Sequence, residues 1–187
     1  MAIDKIQSES IDLADNFAFT GTVTGTPSIT NAQQFYLSGS KSFSANTATV
    51  IDTAFSALDN TKAATIGSAS NITVSSGIFS FATTGIYLIQ ATMNFYFTGS
   101  NESRYVQGNI EVTSNNSSYN VGAQATGQIA DVNSGNDDNE CLTPSYIVDV
   151  DDTSNVKIRL ACASTAAGAT ETQNKSFQIR FIRLSDT

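Results

Sequence analysis

The side chains in this sequence with the clearest capacity for chemistry are carboxylates. Asp137, Asp138 and Glu140 form one cluster, and Asp149, Asp151 and Asp152 form a second a little downstream. Two carboxylates across a cleft can hydrolyse glycosides, provided an apolar pocket holds one of them protonated. Both clusters lie in polar, turn-like sequence that offers no such pocket, so solvated acidic loops are expected. The same groups are candidates for calcium, a hard cation that prefers clustered oxygens. The run DVNSGNDDNE presents Asp137, Asp138 and Glu140, but Asn136 stands where an EF-hand loop needs its sharp-turn glycine. No metal is assigned on this pattern.

The chain contains no histidine. That removes the usual proton shuttle at neutral pH, the Ser-His-Asp and Cys-His arrangements, and the commonest zinc ligand. Cys141 and Cys162 permit one bridge but do not make a disulfide scaffold. Cys162 lies in KIRLACAS and reads as a small buried hydrophobe. No glycine pattern that cradles phosphate precedes a helix. Neither catalysis nor a cofactor is expected.

The elements that would position these residues are strands. Tyr87, Ile89, Ala91, Met93, Phe95 and Phe97 take every second position, with Gln90, Thr92, Asn94 and Tyr96 between them. A period of two over this length predicts a long half-buried strand, since successive side chains point to opposite faces. Shorter alternations recur around Ile72 and Val74, Phe79 and Phe81, Val106 to Val112, Val156 to Leu160, and Phe177 to Phe181. At Ile182 the last of these changes phase, which predicts a bulge or a strand buried on both faces. Gly, Asn, Asp and Ser clusters at 98–103, 113–120, 133–140 and 151–155 supply turns. Short strands between such turns predict an all-β antiparallel sandwich or barrel. Val50, Ile51, Ala54, Phe55 and Leu58 fit a helical face by spacing, while their Thr-rich flanks favour a strand, which is the reading adopted.

Composition bounds the partners. The 187 residues suit one domain with an extension, and only 14% are charged. With 17 acidic and 9 basic residues, the net charge is −8 and no Lys/Arg stripe stands out. Such a surface repels phosphate backbones, so nucleic acid is not an expected partner. The most apolar stretch, GIYLIQATMNFYF, is short and interrupted by Gln90 and Asn94, so no membrane insertion is expected. MAIDKIQSES has no apolar h-region, and no export leader is expected. In the first 45 residues, Ile3, Ile6, Ile11, Leu13, Phe17 and Phe19 are scattered among polar residues. Residues 1–45 therefore read as an arm that buries its apolar groups on another chain, and residues 46–187 as the main domain. An extra strand of the same sandwich is the alternative for the arm.

The block GIFSFATTGIYLIQATMNFYF resembles the signature of the complement C-one-q and tumour-necrosis-factor jelly roll. In that superfamily a Gly-x-Phe strand turns into Gly-x-Tyr and a long apolar strand, matched here by Gly77, Phe79, Gly85 and Tyr87. TAFSAL resembles the family's first strand, SYIVDVDDTSNVKIRLACAS its paired late strands, and SFQIRFIRL its final strand, which lies beside the first. The resemblance implies a jelly-roll β-sandwich of about ten strands that assembles as a homotrimer. It makes Tyr87, Phe95, Phe97, Phe177 and Phe181 candidates for the trimer interface; for Tyr87 an ordinary core position is the alternative.

SIDLADNFAFTGTVTG resembles N-terminal segments of structural proteins from tailed bacteriophages, less specifically. Together the two resemblances imply a virion-surface protein whose arm docks on capsid or tail proteins. Its head would adhere to a host surface glycan or protein. A capsid decoration protein is the close variant, and a free lectin-like module the runner-up.

Overall fold

The computed structural model describes residues 29–58, 65–98, 103–129 and 138–187. The arm candidates Ile3, Ile6, Ile11, Leu13, Phe17 and Phe19, and the calcium candidate Asp137, lie outside the described residues. Fifteen strand segments are present among them: β1 (Asn31–Leu37), β2 (Ser42–Phe43), β3 (Thr49–Val50), β4 (Phe55–Ala57), β5 (Thr65–Ile66), β6 (Ile72–Ser75), β7 (Ile78–Phe81), β8 (Gly85–Phe97), β9 (Ser103–Thr113), β10 (Asn120–Ile129), β11 (Asp138–Leu142), β12 (Ser145–Val150), β13 (Lys157–Ser164), β14 (Gly168–Thr170) and β15 (Gln178–Ser185). Ten of them have four or more residues, and the rest are pieces of two or three residues. Among the described residues no helix is long and apolar enough to cross a membrane.

Two antiparallel sheets face each other. The first runs β2-β14-β8-β15-β1-β4, with β11 and β12 following one another along the free side of β8 and β5 on β1. The second runs β10-β9-β13-β7-β6, with β3 on β13. β8 is the long strand that the period of two predicts, and each of its alternate residues from Gly85 to Phe97 is buried. β11 and β12 are one strand interrupted at Pro144, whose carbonyl accepts from the Ala91 N–H at 3.0 Å. A proline is tolerated there because this is an edge that needs no donor on its outer side.

Three expectations change. Residues 31–45 are not an arm: β1 lies between β15 and β4, and Phe35, Leu37 and Phe43 are core residues. The division at residue 45 therefore falls inside the sandwich. The strand beside the final one is accordingly β1, with Phe35 opposite Ile179, rather than TAFSAL, which supplies β4 on the other side of β1. Residues 49–58, by contrast, are strands and connections, as the adopted reading expects. Finally, β12 and β13 do not pair with each other; the acidic turn between them carries the chain from one sheet to the other. Asp152 builds that turn by accepting from the Ser154 N–H and the Asn155 amide, each at 2.7 Å. Ile182 keeps regular register opposite Leu88 on the outer face, so no bulge stands there; the register shifts only further on, between Arg183 and Ser185.

The layout has two distinct ends. The turns 82–84, 114–119 and 151–156, the described start of the chain and its C-terminus share one end, here the base. At the other end, the tip, β8 and β10 finish and β9 and β11 begin.

Candidate self-association face

The five candidates for a subunit interface lie inside the protomer. Tyr87, Phe95, Phe177 and Phe181 are fully buried, and Phe97 is 1% exposed. They belong to a continuous series of aromatic rings between the sheets: Tyr87, Phe81, Phe181, Phe79, Phe55, Phe177, Phe95, Phe43 and Phe97 in order. Successive centroids stand 4.7 to 6.4 Å apart, within the range of favourable edge-to-face and tilted pairs. Phe35 joins through Phe79 and Phe181. Every phenylalanine among the described residues is in this core. Among the described residues the phenylalanines therefore build a large core and none is left over for a subunit contact. Tyr87 also has an internal task. Its hydroxyl meets the Thr83 carbonyl and hydroxyl at 2.9 Å, and the Thr83 hydroxyl in turn donates to Asn71 at 3.0 Å. A phenol at the base end of the aromatic core thereby pins two turns.

Apolar side chains of the opposite phase occupy the outer face of the same sheet. Ile147 of β12 lies opposite Leu88 of β8, Leu88 opposite Ile182 of β15, Ile182 opposite Ala32 of β1, and Ala32 opposite Ile66 of β5. Residues directly opposite in antiparallel strands share a face, so these five form one apolar row across five strands, about 19 Å long at the usual strand spacing. Its ends are the most open, Ile147 at 59% and Ile66 at 49% exposure. Ile66, Ala32 and Ile182 border a shallow depression whose polar rim is Gln34 and Arg180. Beside the apolar row runs a polar one, Ser145, Gln90, Arg180 and Gln34, again in direct register. The Gln34 and Gln178 side chains are hydrogen-bonded to each other on this face. In the sequence these apolar residues look like ordinary members of strands. The signal that could have found them was Ile86, Leu88 and Ile182 at positions where alternation calls for polar residues.

The acidic candidates do not converge. Asp138 and Glu140 lie on β11 rather than in a loop, and the Glu140 carboxylate packs against Gly127 of β10, where a Cβ would come within 2.2 Å of Oε1. Asp149 and Asp151 border a groove at the base edge of the sandwich, but both are open to solvent. Among the described residues no three His, Cys, Asp or Glu side chains form a metal-holding group. Both cysteines are free. Cys141 is exposed on an edge strand, while Cys162 points into the core, where burial pushes its thiol up to about 12.

The sequence matches no family profile and no curated protein. The backbone, in contrast, superposes on solved structures. Eiger TNF from S. frugiperda aligns at a TM-score of 0.59 over 87% of this chain and 96% of that one, at 16% identity. Murine APRIL at pH 5.0 aligns at 0.60 over 82% of this chain and 98% of that one, at 9% identity. The fold is the tumour-necrosis-factor-like jelly roll. At such identities the likeness is one of fold alone.

Proposed function

We propose that this chain is a non-enzymatic structural protein of a tailed-bacteriophage particle. It forms a homotrimeric jelly-roll head, attached through the residues before the sandwich and exposed at the virion surface to adhere to the host. The observation that carries the self-association part is the apolar row Ile147–Leu88–Ile182–Ala32–Ile66. A row of this length, with its ends Ile147 and Ile66 about half exposed and its middle half-buried, favours a partner surface. A fold whose relatives by resemblance are trimers makes a second and third copy the natural occupants.

The attachment part rests on the phage-like phrase SIDLADNFAFTGTVTG and on polarity. The chain enters the sandwich at the base, so a docked N-terminal segment would direct the tip, the opposite end of the molecule, away from the particle. Threefold presentation multiplies weak contacts by avidity, which suits repeated surface glycans or proteins.

The test is a pull-down on particles. The full chain is expected to associate, and a chain lacking residues 1–28 is expected to keep its oligomeric mass but not associate. Undiminished association of the shortened chain would sink the docking role. Purified head that neither binds host cells nor blocks infection would move the reading from adhesion to capsid decoration.

A further inference from the structure

The proposed self-association face carries two charges that no partner among the described residues satisfies. Arg180 stands at the middle of the face on β15, and Asp149 stands at its edge on β12. Among the described residues neither makes an ion pair or a side-chain hydrogen bond. The other cations nearby are engaged: Arg183 holds Asp186 and the Thr84 carbonyl, and Lys175 lies 4.6 Å from the Tyr36 ring centroid. Arg180 and Asp149 cannot meet within one protomer. Arg180 is opposite Gln90 and Asp149 is opposite Ile86, two strands apart and four residues along. That separation is on the order of 16 Å at ordinary strand dimensions.

A closed ring of three copies is built from heterologous contacts, in which two different regions of the surface meet. On this face the two regions differ in sign. The β12 side offers Ile147 and an anion, and the β15–β1 side offers a shallow apolar depression and a cation. Covering either charge with a neighbour's apolar residues, without a counter-charge, is strongly unfavourable. Resting on the trimer reading above, we infer that Asp149 of one protomer pairs with Arg180 of the next, while Ile147 enters the depression between Ile66, Ala32 and Ile182. The pair fixes which side of the face meets which side of the neighbour's.

Sedimentation velocity on the full chain, at low and high salt, tests this. The wild type is expected to sediment as a trimer whose dissociation increases with salt. Arg180→Asp and Asp149→Arg should each weaken association at least tenfold with unchanged circular dichroism, and the double swap should recover most of that loss. Arg180→Gln, which introduces no repulsion, should lessen the salt dependence. A trimeric wild type with additive losses in the double swap, or with an unaltered salt slope in Arg180→Gln, overturns the pair but leaves the trimer standing. A wild type that stays monomeric at every concentration removes the trimer reading and the pair with it.

Discussion

Tyr87 has the position of a core aromatic and a polar end that reaches the base turns. Removing only its hydroxyl leaves the ring packing against Phe81 intact and strips Thr83 of a partner. Tyr87→Phe is therefore expected to lower the stability measured by urea unfolding by about 1 kcal/mol, the ordinary net worth of one such bond. Its oligomeric mass should not change, because the side chain is fully buried within one protomer. Asp152 acts on the same scale through charge. The Ser154 N–H holds its carboxyl below the ordinary 3.8, helped by Asn155. A carboxyl lowered on folding stabilises the folded state fully above its unfolded value, and this contribution is lost as pH falls through the folded value. Asp152→Asn should thus show a shallower loss of stability below about pH 4 in acid titrations followed by circular dichroism. An acid limb identical to the wild type would remove the turn-anchoring role.

At the scale of elements, the hairpin between β6 and β7 shows how one residue type is required by packing as well as by turn geometry. Ser76 and Gly77 both have positive φ, 48° and 74°, as a two-residue hairpin turn with right-handed strand twist demands. Gly77 also lies against the segment after β3, where a Cβ would sit 2.1 Å from the Ile51 carbonyl oxygen. Gly77→Ala is expected to cost about 2–3 kcal/mol by thermal or chemical unfolding, more than φ alone would impose. The equivalent change at Gly39, which has open space around it, should be nearly silent. The edge formed by β11 and β12 is a second such element. Pro144 interrupts it where Ala91 can still reach the proline carbonyl, so the break does not leave β8 unpaired there.

For the molecule as a whole, the outer face of the first sheet is the feature whose alteration should separate folding from assembly. Ile147 is 59% exposed and contributes little to the protomer core. Ile147→Lys is expected to leave the unfolding midpoint of the protomer within about 0.5 kcal/mol and to shift the mass measured by light scattering towards the monomer. Phe79→Ala should do the reverse, costing about 3–5 kcal/mol of stability through a void amid Phe35, Phe55 and Phe181. Equal oligomerisation of wild type and Ile147→Lys would place the subunit contact elsewhere on the surface.

The period of two along the chain is enough to predict an all-β protein and to locate its long strands. A half-buried strand must alternate, and apolar residues take every second position from Tyr87 to Phe97. It also determined which residues of β8, β13 and β15 face inward, since the period of two divides each strand into two faces. Alternation does not say what each face meets. Tyr87, Phe95 and Phe97 share one face whether that face closes on a second sheet or on a second subunit, and only the packing of Phe79, Phe55 and Phe177 between the sheets decided for the former. The place of residues 31–37 was equally beyond the sequence, because NAQQFYL alternates polar and apolar residues too weakly to announce a central strand; its Gln33 is buried by bonds to the Ala69 carbonyl and the Ile72 N–H. The apolar row on the outer face was hidden for a related reason. Its members come from five strands far apart in the chain, and only the register between those strands brings Ile147, Leu88, Ile182, Ala32 and Ile66 into one line.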